Sequence, residues 1–152
     1  MVQTIEKDGV DVTQNPDEWE YNTHIGSNGI KLRYNEIDLS EWSAANGLSL
    51  YYPVLTEGTI TGSNLGAQFT AEALIFYAPS SSARGAKMME LSASALKFFS
   101  TSDNTHPLMS LSGNALNFFS TSSTHPLMSL SGNALNFYRY NTDTAAATLD
   151  SN

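Results

Sequence analysis

The chain has 152 residues, a formal net charge of −8 and no cysteine. Its 7 Lys and Arg residues are too few for the basic surface on which nucleic-acid binding mainly depends, so we expect no DNA or RNA partner. Without cysteine there is no disulfide and no thiolate metal site, and no apolar run approaches the roughly 18 residues of a membrane helix. The acidic N-terminus lacks the apolar segment of a signal peptide, which predicts a protein that is not exported by the Sec route.

The first predicted element is a short helix at residues 15–22. Asn15 suits the N-cap position, Pro16 suits the first helical position, and acidic residues follow in the first turn. Other helix signals are scarce. We therefore predict that residues 1–23 form an N-terminal attachment or capping segment ahead of a β-rich region.

Six repeat units follow between residues 24 and 140. In each unit a Gly or Ala precedes an aliphatic residue, and Leu or Phe stands two positions later. A spacing of two is the periodicity of a strand, whose side chains alternate between two faces. Each unit therefore predicts a strand with one large apolar face. The aliphatic positions are Ile30, Leu48, Leu74, Leu96, Leu116 and Leu135.

The last two units contain an exact copy, because residues 105–118 recur as residues 124–137 with a period of 19. Within this copy, residues 108–112 form a second predicted strand, and Gly113 and Asn114 accept the positive φ of a tight turn. Proline cannot donate to a β ladder, which predicts that Pro107 and Pro126 lie at the start or edge of a strand. Each unit is thus a strand, a turn and a strand.

Charge is absent from residues 104–138, which contain no Asp, Glu, Lys or Arg. Uncharged β segments with free edges aggregate unless something pairs or covers them. Three identical chains wound about one axis would cover both the edges and the apolar faces.

The sequence therefore predicts an all-β fold in which short repetitive strands form an intertwined homotrimeric fibre, similar to a triple-stranded β-helix. A single-chain β-solenoid is the alternative. Residues 24–140 are the predicted shaft. Residues 141–152 are predicted to form a C-terminal tail that can be flexible because it lies outside the repeats. The predicted trimer core consists of Leu74, Phe76, Leu96, Phe98, Leu116, Phe118, Leu135 and Phe137.

Several phrases of the chain carry a resemblance to known proteins. Units such as "NGIKLRYN", "NGLSLYYP", "EALIFYAP", "SALKFF" and "NALNFY", with "NEIDLS" and "GTITGS", resemble the repeated C-terminal regions of tail, baseplate and fibre proteins of bacteriophages and prophages. The resemblance covers roughly residues 24–140. It implies a virion component, made in the bacterial cytoplasm, that forms a trimeric spacer or host-recognition shaft. Its partners would be its own copies, other phage tail proteins and host cell-surface carbohydrate.

Two other functions remain as alternatives. The phrase "PLMSL" is similar to the shafts of phage tail hyaluronate lyases, which leaves a polysaccharide-degrading tail enzyme open, and a bacterial β-repeat adhesin is the other alternative. No site motif of those enzymes matches this chain, and it has no G-x-S-x-G motif. We therefore predict no enzymatic activity and no cofactor.

Two histidines occupy the same place in two units. A trimer could gather three copies of His106 or of His125 around a metal ion, but a loop histidine beside proline is the simpler interpretation, so no metal site is predicted. The acidic phrases "EKDGVD", "PDEWE" and "NEIDLSE" lack the spacing of a Ca²⁺ loop and predict solvated surface.

Other residues have both a chemical and a structural interpretation. Glycoside cleavage uses paired carboxylates, and the residues in question are Glu36, Asp38 and Glu41, for which no partner set is visible. Four aromatic residues are typical of sugar-stacking platforms, although aromatic residues in strands more often form a core or an interface. These are Trp19, Trp42, Tyr51 and Tyr52.

Overall fold

The computed structural model describes residues 6–7, 10–11, 21–80, 85–103, 105–121, 124–140 and 142–150. These residues form fifteen strands and no helix, which confirms the all-β prediction. Two short strands, β1 (Glu6–Lys7) and β2 (Val10–Asp11), pair with each other. The predicted helix at residues 15–22 lies outside the described residues, except for Tyr21 and Asn22, which begin a strand.

The other thirteen strands form one sheet. They are β3 (Tyr21–Gly26), β4 (Gly29–Tyr34), β5 (Ile37–Ser43), β6 (Gly47–Thr56), β7 (Thr59–Phe69), β8 (Ala73–Tyr77), β9 (Lys87–Ser92), β10 (Ala95–Phe99), β11 (Pro107–Ser112), β12 (Ala115–Phe119), β13 (Pro126–Ser131), β14 (Ala134–Tyr138) and β15 (Ala145–Asp150). Each strand pairs antiparallel with the next along the chain. The sheet is an open meander, so the alternative of a coiled single-chain β-solenoid is wrong.

The six repeat strands are the even-numbered strands from β4 to β14. The Gly or Ala that marks each unit is the first residue of its strand, from Gly29 in β4 to Ala134 in β14. The predicted turn at Gly113 and Asn114 joins β11 to β12, with a φ of +53° at Gly113. Pro107 and Pro126 are the first residues of β11 and β13. These local predictions are confirmed.

Glycine opens the first two units where alanine opens the later four, and the backbone explains the difference. Gly29 and Gly47 have φ angles of +133° and +66°, which side chains with a Cβ rarely adopt. A Cβ at Gly29 would lie 2.1 Å from the carbonyl oxygen of Trp42, and one at Gly47 would lie 1.9 Å from that of Phe69. Glycine is therefore required at both positions, because any side chain would collide with the backbone of the neighbouring strand.

The copied sequence folds into copied structure. Phe98 pairs with Met109 between β10 and β11, and Phe118 pairs with Met128 between β12 and β13. The ladder then shifts by one residue at the same place in both pairs of strands. One period of 19 residues therefore corresponds to two strands in a fixed register.

The predicted C-terminal tail contributes a strand of the sheet. Residues 145–150 form β15, in which Leu149 lies opposite Leu135 and Ala147 lies opposite Phe137. At the other end, β3 begins at Tyr21, before the predicted start of the shaft at residue 24. The sheet thus extends past both predicted boundaries. A segment joins the sheet where its backbone can pair with an edge strand, even if it lacks the sequence pattern of the repeat.

The sheet is a single layer, and few of its apolar side chains are buried. Among the described residues the buried apolar side chains are Ala67, Tyr77, Ala95 and Phe99. The Nζ atom of Lys87 lies 4.4 Å above the centre of the Phe99 ring. A domain normally buries its sheet against a second layer, and in the described residues neither face of this sheet has that cover.

Candidate functional site: the apolar face of the sheet

One face of the sheet, which we call the apolar face, carries two rows of side chains that run across the strands. The leucine row consists of Ile30, Trp42, Leu48, Phe69, Leu74, Leu91, Leu96, Leu111, Leu116, Leu130, Leu135 and Leu149. The Phe–Met row consists of Leu50, Ala67, Phe76, Met89, Phe98, Met109, Phe118, Met128, Phe137 and Ala147. Each member lies directly opposite the next on the neighbouring strand.

All eight residues of the predicted trimer core lie on the apolar face. The four leucines are in the leucine row and the four phenylalanines are in the Phe–Met row. Sequence reasoning missed the contribution of the odd-numbered strands, which insert Met109 and Leu111 between members of neighbouring units. The signal was present, because Met and Leu stand two positions apart in "PLMSLS".

The apolar face is exposed on interior strands of the sheet. Leu91, Leu111 and Leu130 are 47%, 49% and 50% exposed. These leucines lie on interior strands with paired neighbours on both sides. Contiguous exposed apolar surface of this kind marks an interaction site, so this face is the candidate functional site.

The opposite face, which we call the polar face, has different chemistry. Its central row in the repeat region contains Ser110, Asn117, Ser129 and Asn136, each opposite the next. Ser110 and Ser129 are buried. The central row of this face is therefore polar, whereas Tyr77, Ala95 and Phe99, which alternate with members of the two apolar rows, lie on the same face and are buried.

A charged cluster lies on the polar face of β4 and β5. Lys31 Nζ is 2.5 Å from Asp38 Oδ2 and 3.6 Å from Glu41 Oε2, and Arg33 Nε donates to Asp38 Oδ1 at 2.7 Å. Burial of Asp38 opposes its ionisation, but the hydrogen bonds from Lys31 and Arg33 prevail and lower its pKa. The hydrogen bond to Asp38 raises the pKa of Lys31.

Glu41 belongs to the same cluster. The side chain of Ser43 donates a hydrogen bond that lowers the pKa of Glu41, and Asn46 Nδ2 donates to the same carboxylate at 3.3 Å. Glu36 is exposed and lies 3.3 Å from Arg33 Nη1. The three carboxylates considered for acid–base chemistry are therefore ion-paired with cations, and the lowered pKa values of Asp38 and Glu41 disfavour a role of either as a general acid.

The two repeat histidines have different partners. His106 Nδ1 lies 2.9 Å from Asp103 Oδ2, whereas His125 Nε2 lies 3.6 Å from Asp143 Oδ2. The side chain and the backbone N–H of Thr105 donate to Asp103 and lower the pKa of that carboxyl group. Within the described part of the chain no three potential ligands converge on a metal position.

The aromatic residues considered for sugar binding are not gathered in one place. Trp42 is 68% exposed and belongs to the leucine row. It borders an open cleft of about 460 Å³ between the β3–β4 and β5–β6 turns. Tyr51 and Tyr52 lie further along β6, and Trp19 lies outside the described residues. Trp42 is therefore part of the exposed apolar face, and it does not form a sugar-stacking platform together with Tyr51 and Tyr52.

No protein-family model, curated protein or solved structure matches this chain. The described residues include no helix that is long and apolar enough to cross a membrane. A functional interpretation therefore depends on the chemistry of the two faces and on the repeat pattern.

Proposed function

We propose that this chain is a structural component of a bacteriophage tail, in a fibre, baseplate or tail tip, and that it acts as a homotrimer. The single observation that carries the proposal is the uncovered apolar face. The resemblance of the repeat units to phage tail proteins adds the biological setting. In this proposal the chain has no catalytic role and works as a spacer or a host-recognition shaft within the virion.

The occupant of the apolar face is a second copy of the chain. Completing the burial of a half-exposed leucine is worth about 1 kcal/mol, so about ten such side chains per chain provide roughly 10 kcal/mol on assembly. That is comparable with the whole stability of a small domain. Because the two rows of the apolar face contain no charged residue that would select another partner, identical faces are the simplest match.

Three copies would close the assembly around one axis. Three sheets that turn their apolar faces inward bury both rows of every chain, and cyclic symmetry leaves no copy uncovered. Strands twist with a fixed hand, so three packed sheets would wind around one another and form an intertwined shaft. The resemblance to trimeric phage tail proteins supports three copies, and a measurement of the mass of the particle tests that number.

Repeat number would set the length of such a shaft. Neighbouring strands lie about 4.8 Å apart, so each unit of two strands adds about 9.6 Å along the sheet. In a repeat fold each unit contacts chiefly its neighbours. Copying a unit would therefore lengthen the particle without disturbing the rest, which suits a spacer better than a catalytic domain. The ends would contact other tail proteins and, in a recognition role, host carbohydrate.

Light scattering tests the assembly, and the methionines test which face is buried. We expect a mass three times the 16.5 kDa of one chain. In the trimer Met89, Met109 and Met128 should resist peroxide, whereas Met88, which is 43% exposed outside the two rows, should be oxidised. Unfolding in urea should make all four equally reactive.

A monomer with four reactive methionines would refute the proposal, and a dimer with protected methionines would refute only the number three. The alternatives have separate signatures. Release of reducing sugars from hyaluronan would indicate a tail enzyme. Open-ended fibrils that bind thioflavin would indicate an amyloid-like surface protein.

A further inference from the structure

One hairpin extends well beyond the rest of the sheet. Strands β6 and β7 have 10 and 11 residues, whereas most of the others have 5 or 6. The β5 strand pairs with β6 only as far as Leu50, and β8 pairs with β7 only as far as Ala67. Residues 51–65, which we call the arm, therefore pair only with each other, from Tyr51 opposite Leu65 to Thr56 opposite Thr59.

The surface of the arm is nearly uncharged and combines large apolar side chains with threonines. Tyr52, Val54 and Leu55 are 43%, 36% and 60% exposed, and the sole charged residue of the arm is Glu57 at its tip. A two-stranded ribbon is at best marginally stable alone in water. An arm with this composition would gain stability from a surface to pack against.

Specific contacts hold the base of the arm in place. The Tyr52 ring lies over Gly66, where a Cβ would come within 2.6 Å of the ring. Asn64, which is buried, donates its side-chain amide to the carbonyl oxygen of Ser80. The ladder also shifts by one residue between Leu50 and Tyr51, which bends the ribbon at its base. The arm therefore leaves the sheet in a defined direction.

An apolar hollow lies at the base of the arm. It has a volume of about 170 Å³ and is lined by Leu50, Tyr51, Tyr52, Gly66, Ala67 and Phe76. A cavity of about 150 Å³ holds a molecule the size of benzene, so the hollow is large enough for one apolar side chain. Leu50, Ala67 and Phe76 belong to the Phe–Met row, so the hollow is continuous with the apolar face.

We propose that the arm of each copy packs on the adjacent copy of the same chain, with Leu55 in the hollow of its neighbour. The inference rests on the proposed homotrimer and names the element that links its chains. A contact from arm to hollow is heterologous, and a three-fold axis closes it into a ring. Side chains make the contact, because Pro53 offers no N–H for pairing along the outer edge of β6.

Cross-linking between chains tests the contact directly. The chain has no cysteine, so Leu55→Cys carries a single benzophenone maleimide, and Glu72→Cys in the β7–β8 turn is the matched control. Labelled chains are refolded with ¹⁵N-enriched unlabelled chains, irradiated and digested for mass spectrometry. We expect the Leu55→Cys probe to link to ¹⁵N peptides that contain the hollow residues, and the control probe to give no such link.

Substitution of the arm gives a second measurement. Leu55→Asp should leave the monomer folded, because Leu55 is exposed in the single chain, and should raise the rate of trimer dissociation about tenfold or more. Thr59→Asp, which places the same charge on an exposed position of the arm, should dissociate like the parent chain.

The outcomes separate the two proposals. A trimer in which the probe links only within its own chain, or in which Leu55→Asp dissociates at the parent rate, overturns the arm contact and leaves the trimer standing. A parent chain that is monomeric overturns both proposals.

Discussion

Deletion of residues 105–123 should shorten the assembly and leave its fold intact. The deletion removes β11 and β12 and joins Asn104 to Thr124. Phe98 would then face Met128 and Leu96 would face Leu130, in the register that Phe98 and Leu96 now share with Met109 and Leu111. Because β12 and β13 already pair in this way in the parent chain, no new type of contact is required.

The loop before the deleted strands should also re-form. Asp103 now accepts hydrogen bonds from the backbone and side chain of Thr105 and lies beside His106. After the deletion Thr124 and His125 would occupy those two positions. The loop would keep the hydrogen bonds that set its conformation.

The magnitude of the loss follows from the two rows. The deletion removes four of their members, namely Met109, Leu111, Leu116 and Phe118. Completing the burial of Leu111, which is 49% exposed, is worth about 1 kcal/mol. The other three side chains are less exposed and contribute about half as much each, so assembly should lose roughly 2 to 3 kcal/mol per chain. The particle should become about 9.6 Å shorter, because two strand spacings are lost.

Light scattering, small-angle scattering and urea titration measure these effects. We expect a trimer with a smaller maximum dimension and a lower dissociation midpoint. The control removes the 19 residues from 38 to 56, which contain most of β5 and all of β6, and should fail to assemble. An insoluble or monomeric product from the first deletion, together with a tolerated control deletion, would refute the modular shaft.

Three further predictions address the apolar face, the charged cluster and the histidines. Leu116→Asp should abolish soluble trimer by burying an unpaired carboxylate from each chain, whereas Asn117→Asp on the polar face should still give a trimeric mass in light scattering. Since the fold holds the pKa of Asp38 below its ordinary value of 3.8, this carboxylate stabilises the folded state at neutral pH, and the contribution is lost as the pH falls through the lowered pKa. Asp38→Asn should therefore flatten the decline of the urea midpoint as the pH falls below about 4. Because His106 and His125 are not expected to bind metal, EDTA or Ni²⁺ should leave the melting temperature unchanged, and a metal-dependent shift would contradict that interpretation.

Local signals in the sequence were enough to predict most strands of the repeat region. The spacing of Leu116 and Phe118 determines which face each side chain occupies, because alternation along an extended backbone is independent of the partner strand. Gly113 and Pro107 likewise mark a turn and the start of a strand through their own φ preferences and missing N–H groups. The exact copy then required that both units share one register, as they do.

The number of layers, the ends of the sheet and the arm depended on tertiary structure. Nothing in the phrase around Ala145 marks a strand, yet β15 forms because β14 offers an unpaired edge. The arm exists because β5 and β8 stop pairing at Leu50 and Ala67 while β6 and β7 continue. Side-chain alternation is a property of each residue and its neighbours in the chain, whereas the reach of a strand depends on backbone hydrogen bonds to residues far away in sequence.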